Sequence, residues 1–407
     1  MGIPSNRLTY QTAGESHGPG LVATILGVPA GLSIDTDVIN RELARRQGGY
    51  GRGGRQKLET DTIEIMTGVR RGKSIGAPIT FIVKNRDSRL DDLERTPPVH
   101  RPRPGHADLP GSIKWLTTDC RETLERASAR ETAARVAACC VGRLMLKEIF
   151  DVEVFGFVRS ILDARTDVEV THDNLASLIE SRDESDTYTL DEATTEKQCT
   201  IIRQSKADKD TVGGDVECHV FNCPPGVGSC MNWYDKLDAR MAYSVMGIQA
   251  FKAVQIGLGA ECSKRMGSQV HDPIHYDATR INEANLGFVR TSNNAGGTEG
   301  GMTNGQPVVV TGTMKPIATL LQGLPSVDLN TKQPDHSQYE RSDVCAVSAA
   351  SVVMENVVAF EVASAFIEKF GGDSVIETRA NYEAFLDVAR TLPLDAKGGN
   401  SPDSVIA

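Results

Sequence analysis

Aromatic side chains make up only 5% of the 407 residues, and basic residues are outnumbered, with 44 Lys and Arg against 54 Asp and Glu and a net charge of −10. A chain so acidic and so poor in stacking surface is a weak general partner for nucleic acid or for anionic lipid. No apolar run approaches the roughly 18 residues of a membrane span, so no membrane association is expected. The first 20 residues lack a basic segment followed by an apolar one, which argues against a secretory signal. Nine cysteines are spread along the chain without a C-x-x-C pair. That excludes a paired disulfide framework, and the spacing of Cys218, His219, Cys223 and Cys230 matches no structural zinc module, so no metal is expected. Scattered reduced thiols point to a cytoplasmic protein. No fixed-period repeat is present, which removes solenoids and propellers.

What is present is a folded composition, 40% hydrophobic and 24% charged with 38 Gly and 18 Pro, long enough to bury a sizeable core. Short apolar runs bounded by Gly or Pro predict strands over 21–26, 63–66, 78–83, 152–158, 216–221, 254–258 and 308–311. Helices are predicted over 36–47 behind the capping residue Asp35, and over 128–149, 233–246 and 346–369. The alternation is too irregular for a doubly wound βαβ ladder, so the expected class is a mixed α+β body. The chain is expected to form a single domain over 1–395 with a flexible tail over 396–407.

Against the acidic average stand local exceptions. From Arg41 to Lys57 six basic residues face one acid among five glycines, a combination that lets backbone approach a phosphate or carboxylate held by arginine. Gly49, Gly51 and Gly54 satisfy G-x-G-x-x-G, but a polar helix precedes them where a dinucleotide fold needs a buried strand. A second cluster, His100-Arg-Pro-Arg-Pro-Gly-His-Ala-Asp108, presents Arg103 and His106 from a loop preset by Pro and Gly. His106 there suits acid or base work on an anion, or is only an exposed loop residue. Ser16 and His17 sit between glycines in GESHG, where a structural histidine is the simpler reading. At 126–135 Ser128 and Glu131 form a capping-box pattern. Arg126 and Arg130 lie beside that positive helix end, which is unfavourable unless an anion binds or Glu122, Glu125 and Glu131 neutralise them. The run 293–305 is too rich in small residues for core and suits a flat or phosphorylated cofactor, or a surface loop. Asp343 precedes the apolar helix as a possible cap.

Taken in order, GESHG, RRQGGYGRGGR, RPRPGHADL, RASARETAARVAA, NNAGGTEGG, TNGQP, KPIAT and RSDVCAV resemble the chorismate synthase family. The resemblance implies a β-α-β sandwich with helices layered between antiparallel sheets. It implies an anti-1,4-elimination of phosphate from 5-enolpyruvylshikimate 3-phosphate to give chorismate, with reduced FMN as a cofactor that is not consumed. A homotetramer is implied as well. The lack of a credible dinucleotide-binding unit suggests that reduced flavin is supplied from elsewhere. By the same resemblance His17 protonates the leaving phosphate, His106 protonates or hydrogen-bonds the flavin, and Asp343 acts near flavin N5 in removing the C6 hydrogen. Ser16, Arg46, Arg52, Arg103 and Arg130 hold substrate, and Arg46 and Arg52 are also where the family places a nicotinamide nucleotide such as NADP. Flavin contacts fall on Ser128, Ala129, Arg130, Gln249, Ala250, Gly300, Lys315, Pro316, Ile317, Ala318, Thr319 and Arg341.

The chain departs from the family pattern at Cys139 and Cys140 and again at Ala253 and Gln255, which puts the wall from Gln249 to Gln255 most in question. Two other classes stand beside this expectation. One is a flavin-dependent oxidoreductase making a net hydride transfer. The other is an anion- or RNA-binding protein using the Arg-Gly loop, for which a steep salt dependence of RNA affinity would speak.

Overall fold

Two antiparallel sheets enclose two layers of helix. The computed structural model describes residues 8–53, 60–338, 340 and 343–392, so the expected C-terminal tail over 396–407 lies outside the described residues. The first sheet contains β1 (Thr9–Ala13), β2 (Gly20–Leu26), β3 (Glu64–Thr67) and β4 (Ile79–Lys84) in the order β1-β2-β4-β3. The second contains β5 (Glu153–Ile161), β6 (Ala164–Arg165), β7 (Gly214–Phe221), β8 (Phe251–Ile256) and β9 (Val308–Met314) in the order β8-β9-β7-β5-β6. All pairings within the two sheets are antiparallel. The helices are α1 (Thr36–Gln47), α2 (Asp108–Trp115), α3 (Arg121–Ala127), α4 (Thr132–Phe150), α5 (Leu175–Glu184), α6 (Glu192–Ala207), α7 (Leu237–Met246), α8 (Val347–Phe370) and α9 (Val375–Arg390). Helix α4 covers the first sheet, α8 covers the second, and the two helices pack on each other. This is the mixed α+β sandwich that the family pattern implies.

The middle layers follow from composition. Helix α4 reads TAARVAACCVGRLMLKEIF and α8 is apolar on nearly every face, so both can only be satisfied by burial on all sides. Small residues let them approach. A Cβ on Gly142 would lie 2.8 Å from the Phe360 Cα. Cys139 and Cys140 sit in this contact layer, fully buried, with burial pushing both thiols well up. By length and composition α8 is apolar enough to span a membrane, contrary to the expectation from apolar runs, but 94% of its apolar window is buried inside the protein. It is the core helix of the sandwich.

Among the boundaries that differ from the sequence pattern, three have a clear local reason. The expected helix at 128–149 opens as one 3-10 turn, Ala129–Glu131, before α4 begins. Ser128 does cap it, accepting from the Arg130 N–H, but the Glu131 carboxylate turns to Thr12 and Gln249 and does not close a capping box. Residues 233–236 stay outside α7 because Asn232 hydrogen-bonds Asp235 and holds a turn there. Strand β8 starts at Phe251, straight after Ala250 at φ 68, and ends before Gly257 at φ 56, so the predicted 254–258 is displaced toward its C-terminal end.

Buried charge ties the layers together. Glu355 of α8, fully buried, accepts from Arg45 at 3.0 Å and faces Arg143 at 3.2 Å and Arg182 at 3.5 Å. Glu42 meets Arg45 at 2.9 Å and Arg143 at 3.1 Å. Burial alone would raise the Glu42 carboxyl, but the Arg143 and Arg45 charges outweigh it and hold it at about 2. The network anchors the C-terminal half of α1, which carries Arg46. Removing one partner strands the opposite charge in the interior, so Glu355→Gln is expected to cost about 3–5 kcal/mol in urea unfolding at pH 7. Because the ordinary carboxyl value of 4.5 lies above the folded value, the Glu42 contribution is complete above pH 4.5 and is lost as pH falls toward 2. Glu42→Gln should therefore flatten the acid limb of the stability curve. A variant whose acid limb matches that of the parent protein would remove Glu42 from this account.

Candidate active site

A cavity of about 430 Å³ opens where the first sheet, the N-terminal turn of the α4 region and the start of α8 meet. Loop 14–18 reaches it through a turn that requires glycine. Gly14 has φ +109, and a Cβ there would sit 2.4 Å from the Gly20 carbonyl oxygen. This delivers Ser16 and His17 to the cavity wall, both nearly buried. The His17 backbone N–H donates to Glu125 at 2.7 Å, and His17 Nδ1 lies 2.8 Å from the other Glu125 oxygen. On its far side His17 Nε2 is 3.4 Å from Arg89 and 3.8 Å from Asp87. Burial would raise the Glu125 carboxyl, but the hydrogen bonds and charge of His17 bring it below its ordinary value. Ser128 lies 3.2 Å from Ser16, hydroxyl to hydroxyl.

The Pro-rich loop supplies the opposite wall. Arg103 donates through Nε to Asp108 at 2.8 Å and through Nη1 to Thr319 at 2.8 Å. His106 Nδ1 is 2.5 Å from the other Asp108 oxygen. Asp108 is fully buried at the first position of α2, and hydrogen bonds from His106 and Arg103 overcome burial to hold it well below the carboxylate range. The third group is Arg46 at the end of α1 with Arg130. Both donate to a single carboxylate, Asp61, at 2.7 Å, and Asn85 accepts from Arg130 Nε at 2.8 Å. Burial, together with the nearby Arg130 and Arg52 charges, pulls Arg46 down to about 10 in spite of Asp61. Finally, Arg52 meets Asp343 at 2.6 Å, and the Gly53 N–H donates to the same carboxylate at 2.6 Å. Asp343 is thus no helix cap; α8 begins behind Ala346 with no side-chain cap.

The structure brings together most of the candidates named from sequence. Ser16, His17, Arg46, Arg52, Arg103, His106, Ser128, Ala129, Arg130, Gln249, Ala250, Lys315, Ile317, Ala318, Thr319 and Asp343 all line the cavity. Pro316 does not, and Gly300 lies at the turn of a separate hairpin, Thr298–Glu299 with Met302–Thr303. Arg341 is outside the described residues. Ala253 and Gln255 do not reach the cavity, and the Gln255 side chain accepts from the Ala260 N–H instead. The charge pairing around Arg126 and Arg130 also differs from expectation. Arg126 donates to the Thr12 and Gly14 carbonyls, Glu131 pairs with Arg135, and the acid opposite Arg130 is Asp61.

Sequence reasoning missed Asp61, Asp87, Arg89, Glu125 and the catalytic-wall role of Asp108. Glu125 and Asp108 were visible as acids within or beside the motifs, but Asp61 has no local pattern and reaches the site only by folding. Also missed was the apolar floor, which Ala346, Ala349, Ala350 and Val353 of the α8 region form with Ile248 and Met314. That face is made largely of small side chains, while Lys315, Arg46 and Arg52 bring positive charge to the cavity. Among the described residues, the buried Gln249 Oε1, Arg46 Nε and Arg52 Nε have no hydrogen-bond partner. An acceptor and two donors are therefore available to a polar, anionic ligand.

Comparison with known proteins gives one answer. The family model described as chorismate synthase matches residues 8–367. Chorismate synthase of Geobacter sulfurreducens is 50% identical over 394 residues, covering 94% of this chain and 99% of the relative. That of Geotalea uraniireducens is 49% identical over 393 residues, with 94% and 99% covered. A solved structure titled as the crystal structure of chorismate synthase superposes with a TM-score of 0.75 at 38% identity, covering 95% of this chain and 99% of that one.

The Arg46–Asp61–Arg130 cluster makes a direct prediction. Asp61→Asn leaves two nearly buried guanidiniums facing each other without their carboxylate, so stability should fall by about 3–5 kcal/mol in denaturant unfolding. An unfolding midpoint equal to that of the parent would show that the two arginines do not depend on Asp61.

Proposed function

The chain belongs to the chorismate synthase family, and from that premise we propose how its own side chains carry the family's elimination. The activity is that of a carbon–oxygen lyase, converting 5-enolpyruvylshikimate 3-phosphate to chorismate and phosphate at the last step of the shikimate pathway to aromatic amino acids. The family is flavin-dependent. One observation supports the residue assignments most: five arginines, two carboxylate-backed histidines and Asp343 border a single cavity with an apolar floor.

The substrate carries two carboxylates and a phosphate. Arg46, Arg52, Arg103 and Arg130, with Ser16, are the groups we assign to holding it, since guanidinium binds such anions bidentately. Reduced FMN, when bound, supplies transient electron donation that weakens the allylic C–O bond without net oxidation. Its ring would rest on the Ala346 to Val353 face with Gln249 and Ala250 at its edge. Ser128 to Arg130, Lys315 and Ile317 to Thr319 would hold its polar parts, with Arg46 and Arg52 nearby. Of the further positions the resemblance names, Gly300 and Pro316 do not line this cavity and are not assigned to it.

In the elimination the C–O bond to phosphate and the C6–H bond break, and a second ring double bond forms. His17 holds at Nε2 the proton that passes to the departing phosphate. We assign Asp343 to removal of the C6 hydrogen as a proton, its electron pair entering the new double bond as the C–O pair leaves with the phosphate, and His106 to keeping a proton beside the flavin. Arg52 holds the Asp343 carboxylate in place for that part, at 2.6 Å. The apolar floor excludes water, which strengthens each of these charge interactions.

The functional form we propose is a cytoplasmic homotetramer supplied with reduced flavin by a separate reductase. Large apolar side chains such as Met231, Trp233 and Tyr243 are 82%, 80% and 77% exposed, which suits contact between copies. Buried unpaired thiols suit a reducing compartment.

The test is an anaerobic assay of the purified protein with reduced FMN and 5-enolpyruvylshikimate 3-phosphate, following chorismate and phosphate together. Equal amounts of both are expected, and no product where a known family enzyme succeeds in parallel would refute the assignment. His17→Ala and His106→Ala should each lower turnover by about 100- to 10,000-fold with melting temperature preserved. Undiminished turnover in either variant removes that histidine from the mechanism.

A further inference from the structure

We infer that Glu125 is a positioning residue: it takes the Nδ1 proton of His17 and the His17 backbone N–H at once, so that Nε2 alone is presented to the cavity as the proton-transferring atom. This rests on the assignment of His17 as the acid for the leaving phosphate. Three observations carry it. Glu125 is 1% exposed on α3, and His17 Nδ1 lies 2.8 Å from one of its oxygens and 3.0 Å from the other, which also accepts the backbone N–H at 2.7 Å. Its backbone carbonyl also accepts from the Ser16 N–H at 3.1 Å, so the 14–18 loop is clamped to α3 at two successive residues. Arg121, one turn earlier on α3, stands 3.5 Å from the carboxylate and keeps it charged and fixed.

The opposite edge of the ring faces the cavity. Arg89 and Asp87, from the loop after β4, lie 3.4 and 3.8 Å from Nε2, and both line the cavity. A phosphate receiving the Nε2 proton would meet the Arg89 guanidinium in the same place. With Nδ1–H held by Glu125, a neutral imidazole left after transfer is already in the tautomer that can be reprotonated at Nε2. A carboxylate satisfies both donors because each oxygen accepts; an amide has only one accepting oxygen and must aim its NH2 at either the ring or the backbone. Keeping the nearly buried backbone N–H satisfied forces the NH2 toward Nδ1, which would reverse the tautomer.

The experiment is a double-variant cycle in the reduced-flavin assay with the whole enzyme. Glu125→Gln is expected to lower kcat about 10- to 100-fold with KM changed less than about threefold. On the His17→Ala background the same substitution should cost less than about twofold, since a group acting only through His17 has nothing left to position. Glu125→Asp, which keeps both acceptors but withdraws them by one methylene, should recover part of kcat. Melting curves confirm folding of each variant; if Glu125→Gln does not fold, Glu125→Asp on the two backgrounds makes the same comparison. Equal losses with and without His17 would overturn the inference, as would a Glu125→Gln kcat within twofold of the parent. Parental turnover together with loss in His17→Ala tests the underlying assignment separately, so a failed Glu125 result counts against the pairing alone.

Discussion

Like-charge repulsion among guanidiniums is the constraint around which the site is built. A ligand with several negative charges calls for arginines within reach of one another, and arginines that close, partly removed from water, repel and destabilise the fold that holds them. The solution here is to give each its own or a shared carboxylate: Asp61 between Arg46 and Arg130, Asp343 on Arg52, Asp108 on Arg103. These acids align and space the donors before any ligand arrives. A net charge of −10 is thus compatible with an anion site, because part of the acid is spent inside it.

The same carboxylates serve the histidines. Asp108 bonds both Arg103 and His106, and Glu125 bonds His17 while leaning on Arg121. Each histidine therefore has one nitrogen committed to the protein, which limits what the other can do. Fold and chemistry meet in α8, whose first turns are the cavity floor and whose remainder is the buried centre of the sandwich. Substitutions in that helix bear on both at once. The Glu42–Arg45–Glu355 network works in the same way, since it pins the helix that ends in Arg46.

Elements whose signals are local were legible. Helix α1 runs over the expected 36–47, with Asp35 accepting from the N–H groups of Asp37 and Val38. Strands bounded by Gly or Pro came within a few residues. Helices α2, α3, α5, α6 and α9 were not expected, because their faces are polar or short and they become helical by packing. Pro110 and Gly111 are poor helix formers, yet Gly111 is where α2 presses on Thr123 of α3. At the site, residues inside glycine- or proline-shaped motifs were found because the motif and the chemistry coincide. Asp61, Asp87 and Arg89 sit in no motif, and nothing in their neighbours' identities marks them.

By itself the sequence determined the class of fold, the family and the chemical kinds of group in the site, because apolar spacing, turn residues and long ordered motifs are properties of consecutive residues. Only the tertiary structure decided the pairings: that Arg130 meets Asp61 and not a neighbouring glutamate, that Asp343 serves Arg52 and not the helix behind it, and that Glu125 holds His17. Pairing depends on which side chains arrive within about 3 Å of each other, and residues 69 or 108 positions apart are brought that close by the packing of sheets and helices, of which linear spacing carries no record.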